Sequence, residues 1–470
     1  MKFHKLTHST LLGIVSAGLI AGCGNIESPS AKGPAVPSHF LGSKAAVKRS
    51  STGWLANLSD RRLVASVNQA MQSNNDLAAA AGRLRSARAQ VTVARSVRLP
   101  QVSASGSATR NRRDTEINGG FPTLGSADTT YNLGANFNWE LDLWGRLGNR
   151  ESAAQAEANA ASFDYHAFRL SLAANIARSW FNTAELELQV KLARDTVSSL
   201  EKNLNFVERG VDLGTSEALD LRLTRANLDT SRSNLEARRR QLDSTTRSLE
   251  ILLGSYPANQ LQTNDSLPDL NDPVPTGLPS ELLIRRPDLA ASAQRVAAAS
   301  ERVMDAQKSF LPSFSLTGSR GSASSDLTKL LNPDFLAASI AARIGQTIYD
   351  GGRIRGETEA ARGRFEEAVA NYRQNVLQAF GEVETALAAE DYLNRQLRSQ
   401  KRAVTESIAA EDLAWDQYSR GLVESLTWLE AQRRSFNSRS ALLQLQNFRL
   451  QNRINLHLAL GGDFKTRLQK

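Results

Sequence analysis

Cys23 is the only cysteine among 470 residues, and its surroundings suit one kind of chemistry. Lys2 and Lys5 precede an apolar run, Leu11 to Ile20, that is too short to span a bilayer comfortably. Ile20-Ala21-Gly22-Cys23 closes that run and resembles a bacterial lipobox. Residues 1–22 then read as a lipoprotein signal peptide cut before Cys23, whose freed amine takes an N-acyl group and whose thiol takes an S-diacylglycerol. A single thiol can form no intramolecular disulfide. Gly24 stands where lipoproteins held at the inner membrane often carry Asp, which favours the outer membrane. Little else points to bond-making chemistry. His4, His8, His39, His166 and His457 are scattered, and no His or Cys pair has metal-ligand spacing. The carboxylates read as helix surface. The expectation is a protein that is not an enzyme, with no metal and no cofactor beyond the lipid on Cys23.

Glycines and prolines show what must carry such a chain. Leu99-Pro100-Gln101-Val102-Ser103-Ala104-Ser105-Gly106-Ser107 returns 212 residues later as Leu311-Pro312-Ser313-Phe314-Ser315-Leu316-Thr317-Gly318-Ser319. Gly145-Arg146, Gly214 and Leu253-Gly254 return 207 residues later as Gly352-Arg353, Gly421 and Leu460-Gly461. A fixed offset marks a duplicated unit. The five-residue change of offset falls between Gly106 and Gly145, where a loop differs in length. Five of the 13 prolines crowd residues 255–280, read as an extended linker between copies, while 23–53 read as a lipid-anchored flexible tether. The copies then occupy 54–254 and 281–462, with a C-terminal tail at 463–470. Net charge is +9, but 57 basic and 48 acidic residues are interspersed and the chain is exported, so nucleic acid is not an expected partner.

Each copy opens with a helix, about 60–98 and 281–310, stopped by Leu-Pro because proline lacks an amide donor and restricts its predecessor. Strand pairs follow at 100–110 with 131–143 and at 312–320 with 335–349. Tyr131, Leu133, Ala135, Phe137, Trp139, Leu141 and Leu143 alternate with polar residues, giving one apolar and one wet face. The duplicate runs Ala338, Ile340, Ala342, Ile344, Ile348, with Gln346 where the first copy has Trp139. The export signal, the strand length and the aromatic ends favour a membrane barrel over a sandwich. Four strands cannot close in lipid, so the chain must pool them with copies of itself. A trimer of twelve strands is the smallest ring with a real lumen.

The period then becomes helical. Long helices at 146–209 and 353–420 lead through tight turns to return helices at 218–253 and 424–460. The first would reach on the order of 95 Å, which no compact domain holds and a porin does not need. The fold class is therefore an internally duplicated α+β membrane protein. With four strands per chain pooled among copies, it reads as a membrane barrel with a long helical tube hanging below it.

Several motifs in order resemble the outer-membrane factor (TolC-like) family of tripartite efflux systems, and its OprM/NodT-type lipoproteins in particular. They are Gly277-Leu278-Pro279-Ser280-Glu281-Leu282-Leu283-Ile284-Arg285-Arg286-Pro287-Asp288, Trp139-Glu140-Leu141-Asp142-Leu143-Trp144-Gly145-Arg146 and Ala431-Gln432-Arg433. The resemblance implies a homotrimer whose trimeric 12-stranded outer-membrane β-barrel is continuous with a long periplasmic α-helical barrel, together with a periplasmic adaptor (membrane fusion protein), an inner-membrane RND-type pump and contact with outer-membrane lipid.

It also implies a periplasmic gate near the glycine turns. Tyr418 matches a tyrosine tying the inner helix to its neighbour, and Asp220 an acid that accepts from it. Leu426, Glu430 and Arg433 match residues of a constriction, and their i, i+4, i+7 spacing puts them on one helix face. Thr427 replaces an acid of TolC, leaving one anionic ring at Glu430. The turns, with Gly214, Thr215, Ser216, Gly421, Leu422, Val423 and Ser425, are the expected adaptor docking site. The implied function is the exit duct of an RND-type efflux pump for drugs or other small toxic compounds; the alternative is the outer-membrane conduit of a type I protein or peptide secretion system. A one-hairpin periplasmic adaptor is disfavoured by the duplicated strand pairs.

Overall fold

The computed structural model describes residues 28–30, 36–41, 54–55, 58, 60–113, 116–117, 121–122, 126–263, 266–270 and 279–462. Cys23, the signal peptide and the 463–470 tail lie outside the described residues. The elements, in order, are α1 (Arg61–Ser73), α2 (Asn75–Ser96), β1 (Gln101–Arg113), the two-residue strands β2 (Glu116–Ile117) and β3 (Phe121–Pro122), and β4 (Ser126–Leu141). Next come α3 (Arg146–Asp212), α4 (Ala218–Leu252), α5 (Pro279–Arg285), α6 (Pro287–Lys308), β5 (Ser313–Ser324), β6 (Leu336–Gly345), α7 (Arg353–Ser419) and α8 (Ser425–Ala459). The duplication is exact in helix length: α3 and α7 have 67 residues each, α4 and α8 have 35 each.

The chain forms two compact units. One comprises the described residues of 83–161 and 291–372. It holds a four-stranded antiparallel sheet in the order β1-β4-β5-β6. Register aligns the faces across all four strands. Val102, Phe137, Gly318 and Ile340 form one row, and Leu141, Phe314 and Ile344 another. Between them, on the opposite face, Gln101, Asn138, Thr317 and Ala341 make a row, and Ser103, Asn136, Ser319 and Ser339 the next. Asn136 Nδ2 donates to Ser105 Oγ at 3.4 Å, and the Ser319 and Ser339 hydroxyls lie 2.8 Å apart on that wet face. Val102, Leu133, Ile340 and Ile344 stand exposed on the other. β1 and β6 each pair along one edge only.

The returning strands β4 and β6 end earlier than their alternation predicts, while β1 and β5 run on to Arg113 and Ser324 and β4 begins already at Ser126. β6 stops at Gly345, opposite Ser313, because the next residue back on β5 is Pro312, which has no amide to donate. Gln346, Ile348 and Tyr349 therefore lie beyond the strand. Leu143 is likewise past β4, its amide bonded to Leu141 O at 2.9 Å. Trp139 and Trp144 anchor these ends: Trp139 Nε1 donates to Arg98 O at 2.9 Å and Trp144 Nε1 to Pro312 O at 2.7 Å. Gly145, at φ +69°, makes the corner into α3, which Asp142 caps by accepting from the amides of Leu147 and Gly148.

The second unit comprises the described residues of 36–82, 162–290 and 373–462. Its largest apolar cluster surrounds Trp180 and Phe181, with Leu58, Leu63, Leu249, Leu450 and Ile454. The opening helix expected over 60–98 is broken at Asn74. This residue is extended (ψ 123°), caps α2 through Leu77 N, and donates from Nδ2 to Leu252 O. The helix expected over 281–310 breaks at Arg286, because Pro287 disfavours a helical residue before it. The 23–53 stretch is not a free tether throughout. Phe40 is buried among Leu282, Val383, Ala386 and Leu456, and Leu41 N donates to Glu384 at 2.8 Å. Residues of the 255–280 linker also pack, with the amides of Asn259, Gln260 and Leu261 on the Glu250 carboxylate.

Candidate functional site at the two glycine turns

The duplicated turns lie side by side in the second unit. Gly214 (φ +73°) and Gly421 (φ +75°) take the left-handed conformation that ends α3 and α7. Thr215 N and Ser216 N then donate to Gly210 O, and Leu422 N to Gln417 O, so both chains reverse within a few residues. Glu217 and Glu424 precede α4 and α8 at extended φ/ψ without side-chain caps, and both line the space between the turns. A cavity of about 920 Å³ opens between the turns, lined by Leu213, Leu219, Leu223, Val423 and Leu426 among others.

Behind the turns α3 packs on α4 and on α8, and α8 packs on α7. Arg232 and Arg225 of α4 bond Glu201 and Glu208 of α3 at 2.8 and 2.9 Å. On its other side α3 meets α8: Gln432 Nε2 donates to Ser199 Oγ at 3.0 Å and Gln189 Nε2 to Ser440 O at 3.0 Å. Beyond α8 lies α7, where Arg453 pairs with Glu390 at 2.6 Å and Asn452 Nδ2 donates to Ala386 O at 3.0 Å. At the tip α4 and α8 reach across α3, and Ser425 Oγ donates to Asp220 Oδ1 at 2.5 Å.

The geometry rearranges several of the expected roles. Asp220 is held by Ser425, so the tie expected from Tyr418 to Asp220 is not made within the chain. Ser425, expected to dock a partner, is buried and occupied by this bond. Tyr418 Oη is buried with no hydrogen-bond partner among the described residues. Burial, and then the Asp220 charge, push its hydroxyl above the usual tyrosine range, so it stays neutral. Its ring is stacked on Trp428 at 12° and 6.3 Å, inside an aromatic cluster with Phe206 and Trp415. That cluster escaped the sequence reading. The clue was the placing of three aromatics, Trp415, Tyr418 and Trp428, within 14 residues of an aromatic-poor chain.

Glu430 is also not a simple anionic group. Arg433 grips it from Nε and Nη2 at 2.9 and 2.8 Å, and Arg434 Nε donates to it at 2.8 Å. Bonds from Arg434 and then Arg433 hold its carboxyl below the usual range. The single anionic ring expected at Glu430 is therefore covered by two guanidiniums. Both partners sit on the same helix, three and four residues on, so among the described residues Glu430 makes its ion pairs within α8 and not across helices. Leu426 and Arg433 are exposed on one face of α8, with Glu430 half-buried between them. Gly214, Thr215, Gly421 and Leu422 are exposed, and Ser216 and Val423 are half-buried.

A duplicated chain with an amphipathic four-stranded sheet, 67-residue helices and paired glycine turns belongs to the class of outer-membrane channels. Residues 66–255 and 278–462 match the outer membrane efflux protein family, and the chain belongs to that family. It is 31% identical over 467 residues to the cation efflux system protein CusC of Escherichia coli O6:H1, covering 97% of this chain and 99% of that one. It is 30% identical over 459 residues to the probable outer membrane lipoprotein SilC of Salmonella typhimurium, covering 96% and 98%. The solved structure of the Campylobacter jejuni CmeC outer membrane channel superposes with a TM-score of 0.84 at 26% identity, covering 93% of this chain and 95% of that one. The protein is an outer-membrane efflux channel.

Proposed function

We propose that three copies close a twelve-stranded barrel in the outer membrane and that the assembly is the exit duct of a tripartite RND-type pump. The observation that carries this reading is the sheet β1-β4-β5-β6, whose outer strands each leave one edge unpaired while one face is exposed and apolar. Unpaired edges are untenable in lipid, and strands from two further copies satisfy them. The eight strands of a dimer would leave a lumen filled by side chains. Acylation at Cys23 anchors each copy to the same membrane.

The turns are the surface offered to a periplasmic adaptor, through Gly214, Thr215, Gly421 and Leu422, with Ser216 and Val423 half-buried beside them. The cavity between them gives an adaptor apolar seats. The gate is held shut by Asp220 with Ser425 and by packing around Tyr418, while Leu426, Glu430 and Arg433 line the narrow passage. The cargo is drugs or other small toxic compounds delivered by the inner-membrane pump. A protein-secretion role has no observation in its favour, and curated relatives are named for cation efflux.

The test is a susceptibility and dye-accumulation panel on a strain lacking this protein and on the same strain with it restored. Hypersensitivity to several unrelated compounds with raised dye retention is the expected result. Normal efflux with a protein missing from the culture medium would overturn it in favour of a secretion conduit.

A further inference from the structure

The face of the four-stranded sheet that carries Val102, Phe137 and Ile340 holds three charged residues, and all three are arginines. Register sets Arg320 of β5 in a row with Ala104, Ala135 and Ala338. It sets Arg110 and Arg112 of β1 on the same face, opposite Thr129 and Ala127. No Asp or Glu of β1, β4, β5 or β6 shares that face: Asp128 and Glu140 stand on the wet one, with Arg343. Arg110, Arg112 and Arg320 are exposed. Among the described residues no carboxylate pairs with Arg110 or Arg320.

What these arginines meet rests on the barrel reading above, in which this face touches lipid and the strand ends joined to helices point to the periplasm. Phe314 lies at the helix-joined end, in the row of Leu141 and Ile344. Arg320 is about 20 Å further along β5, which is about 15 Å in height at a tilt of about 40°. The apolar band of such a barrel is about 25 Å tall, so Arg320 stands in its outer half. Arg110 is three rows beyond Arg320 and one beyond Tyr131, where headgroups begin. A lone guanidinium at lipid depth is costly, and a long side chain relieves the cost by turning toward the nearer surface. With no carboxylate on the face, the anions within its reach there are lipid phosphates, whose oxygens fit the planar fork in pairs. We propose that Arg320 and Arg110 bind the phosphates of phosphorylated glycolipid in the outer leaflet.

The experiment measures binding of lipid A, with its two phosphates, and of its dephosphorylated form to the purified full-length protein in detergent, read as Kd by native mass spectrometry. The wild type is expected to bind the phosphorylated form at least about tenfold more tightly. R320Q and R110Q should each weaken that binding about fivefold, and R110Q/R320Q about 25-fold, to the level of the dephosphorylated lipid. R343Q removes a charge from the wet face of the same sheet and should leave the Kd unchanged. Equal affinity for the two lipids, wild-type binding by R110Q/R320Q, or a loss in R343Q as large as in R320Q overturns the inference. Flotation with phosphatidylcholine vesicles keeps the two readings apart. A protein that inserts but ignores the phosphates overturns this inference alone, and one that does not insert overturns the barrel reading and this inference with it.

Discussion

Ser425 and Asp220 join the two halves of the duplication at their tips. The hydroxyl at the start of α8 donates 2.5 Å to the carboxylate in the first turn of α4, across 205 residues of sequence. A charge-assisted bond of this kind contributes about 1–3 kcal/mol, strong enough to hold a tip and weak enough for a docking partner to break. D220A and S425A should each raise resting permeability to large antibiotics that the outer membrane normally excludes. Growth inhibition by such compounds at normal protein levels is the measurement, and unchanged susceptibility in both would remove this bond from the gate. E430A, whose partners are on its own helix, should add little to D220A.

The stacked pair Tyr418 and Trp428 separates packing from hydrogen bonding. Trp428 is 2% exposed, so W428A should cost about 3–5 kcal/mol, seen as a lowered thermal midpoint. Y418F removes a buried hydroxyl that has no partner among the described residues, and should be neutral or stabilising by up to about 1 kcal/mol. A large loss in Y418F would mean that the hydroxyl is bonded in the assembly.

Arg286 staples the start of the second copy to α7 and α8. Its guanidinium donates to Asp288, to Glu382 at 2.6 Å and to Ala459 O at 3.2 Å while 9% exposed. R286A should destabilise by about 2–3 kcal/mol, and R286K should fail to restore the loss because an ammonium cannot reproduce the planar fork. Thermal unfolding of the three proteins in detergent checks this.

His457 is buried beside Trp54, Arg453 and Glu390, and burial, followed by the Arg453 charge, pushes it down to about 4. Its folded-state value lies below the unfolded one, so the unfolded chain binds the extra proton and stability falls as pH drops below the unfolded value. Between pH 7 and pH 5 this group should withdraw about 2 kcal/mol. Denaturant titrations at the two pH values should show a smaller difference in H457N than in the wild type.

The two faces of the sheet should tolerate charge differently. Ile340 stands in an apolar row and is exposed in the single chain, so I340R should cost about 2–4 kcal/mol in a bilayer. Ser339, next in sequence and on the wet face, should accept Arg with little loss. Comparable outer-membrane yields of the two variants would reverse the facing assigned here.

Periodicity and repetition already carry most of this architecture. Period-two alternation placed four strands, helical periodicity placed two long helices at 146–209 and 353–420, within three residues of their ends at Asp212 and Ser419, and Gly214 and Gly421 placed the turns, because each is a local property of backbone and side-chain spacing. The strand ends were less legible: alternation continues through Leu143 and Ile348, but a ladder needs a partner, and Pro312 removes one.

The site divides in the same way. Leu426, Glu430 and Arg433 share a helix face by spacing alone, and the sequence therefore determined the stripe. Which partner each polar group takes depends on helices brought together from opposite ends of the chain. Tertiary structure alone gave Asp220 to Ser425, left Tyr418 Oη unbonded within an aromatic cluster, and set Arg434 beside Arg433 on Glu430. The chain fixed its elements through local chemistry. Packing fixed the charge and the ties at the tip, because a hydrogen bond goes to the nearest donor in space and not in sequence.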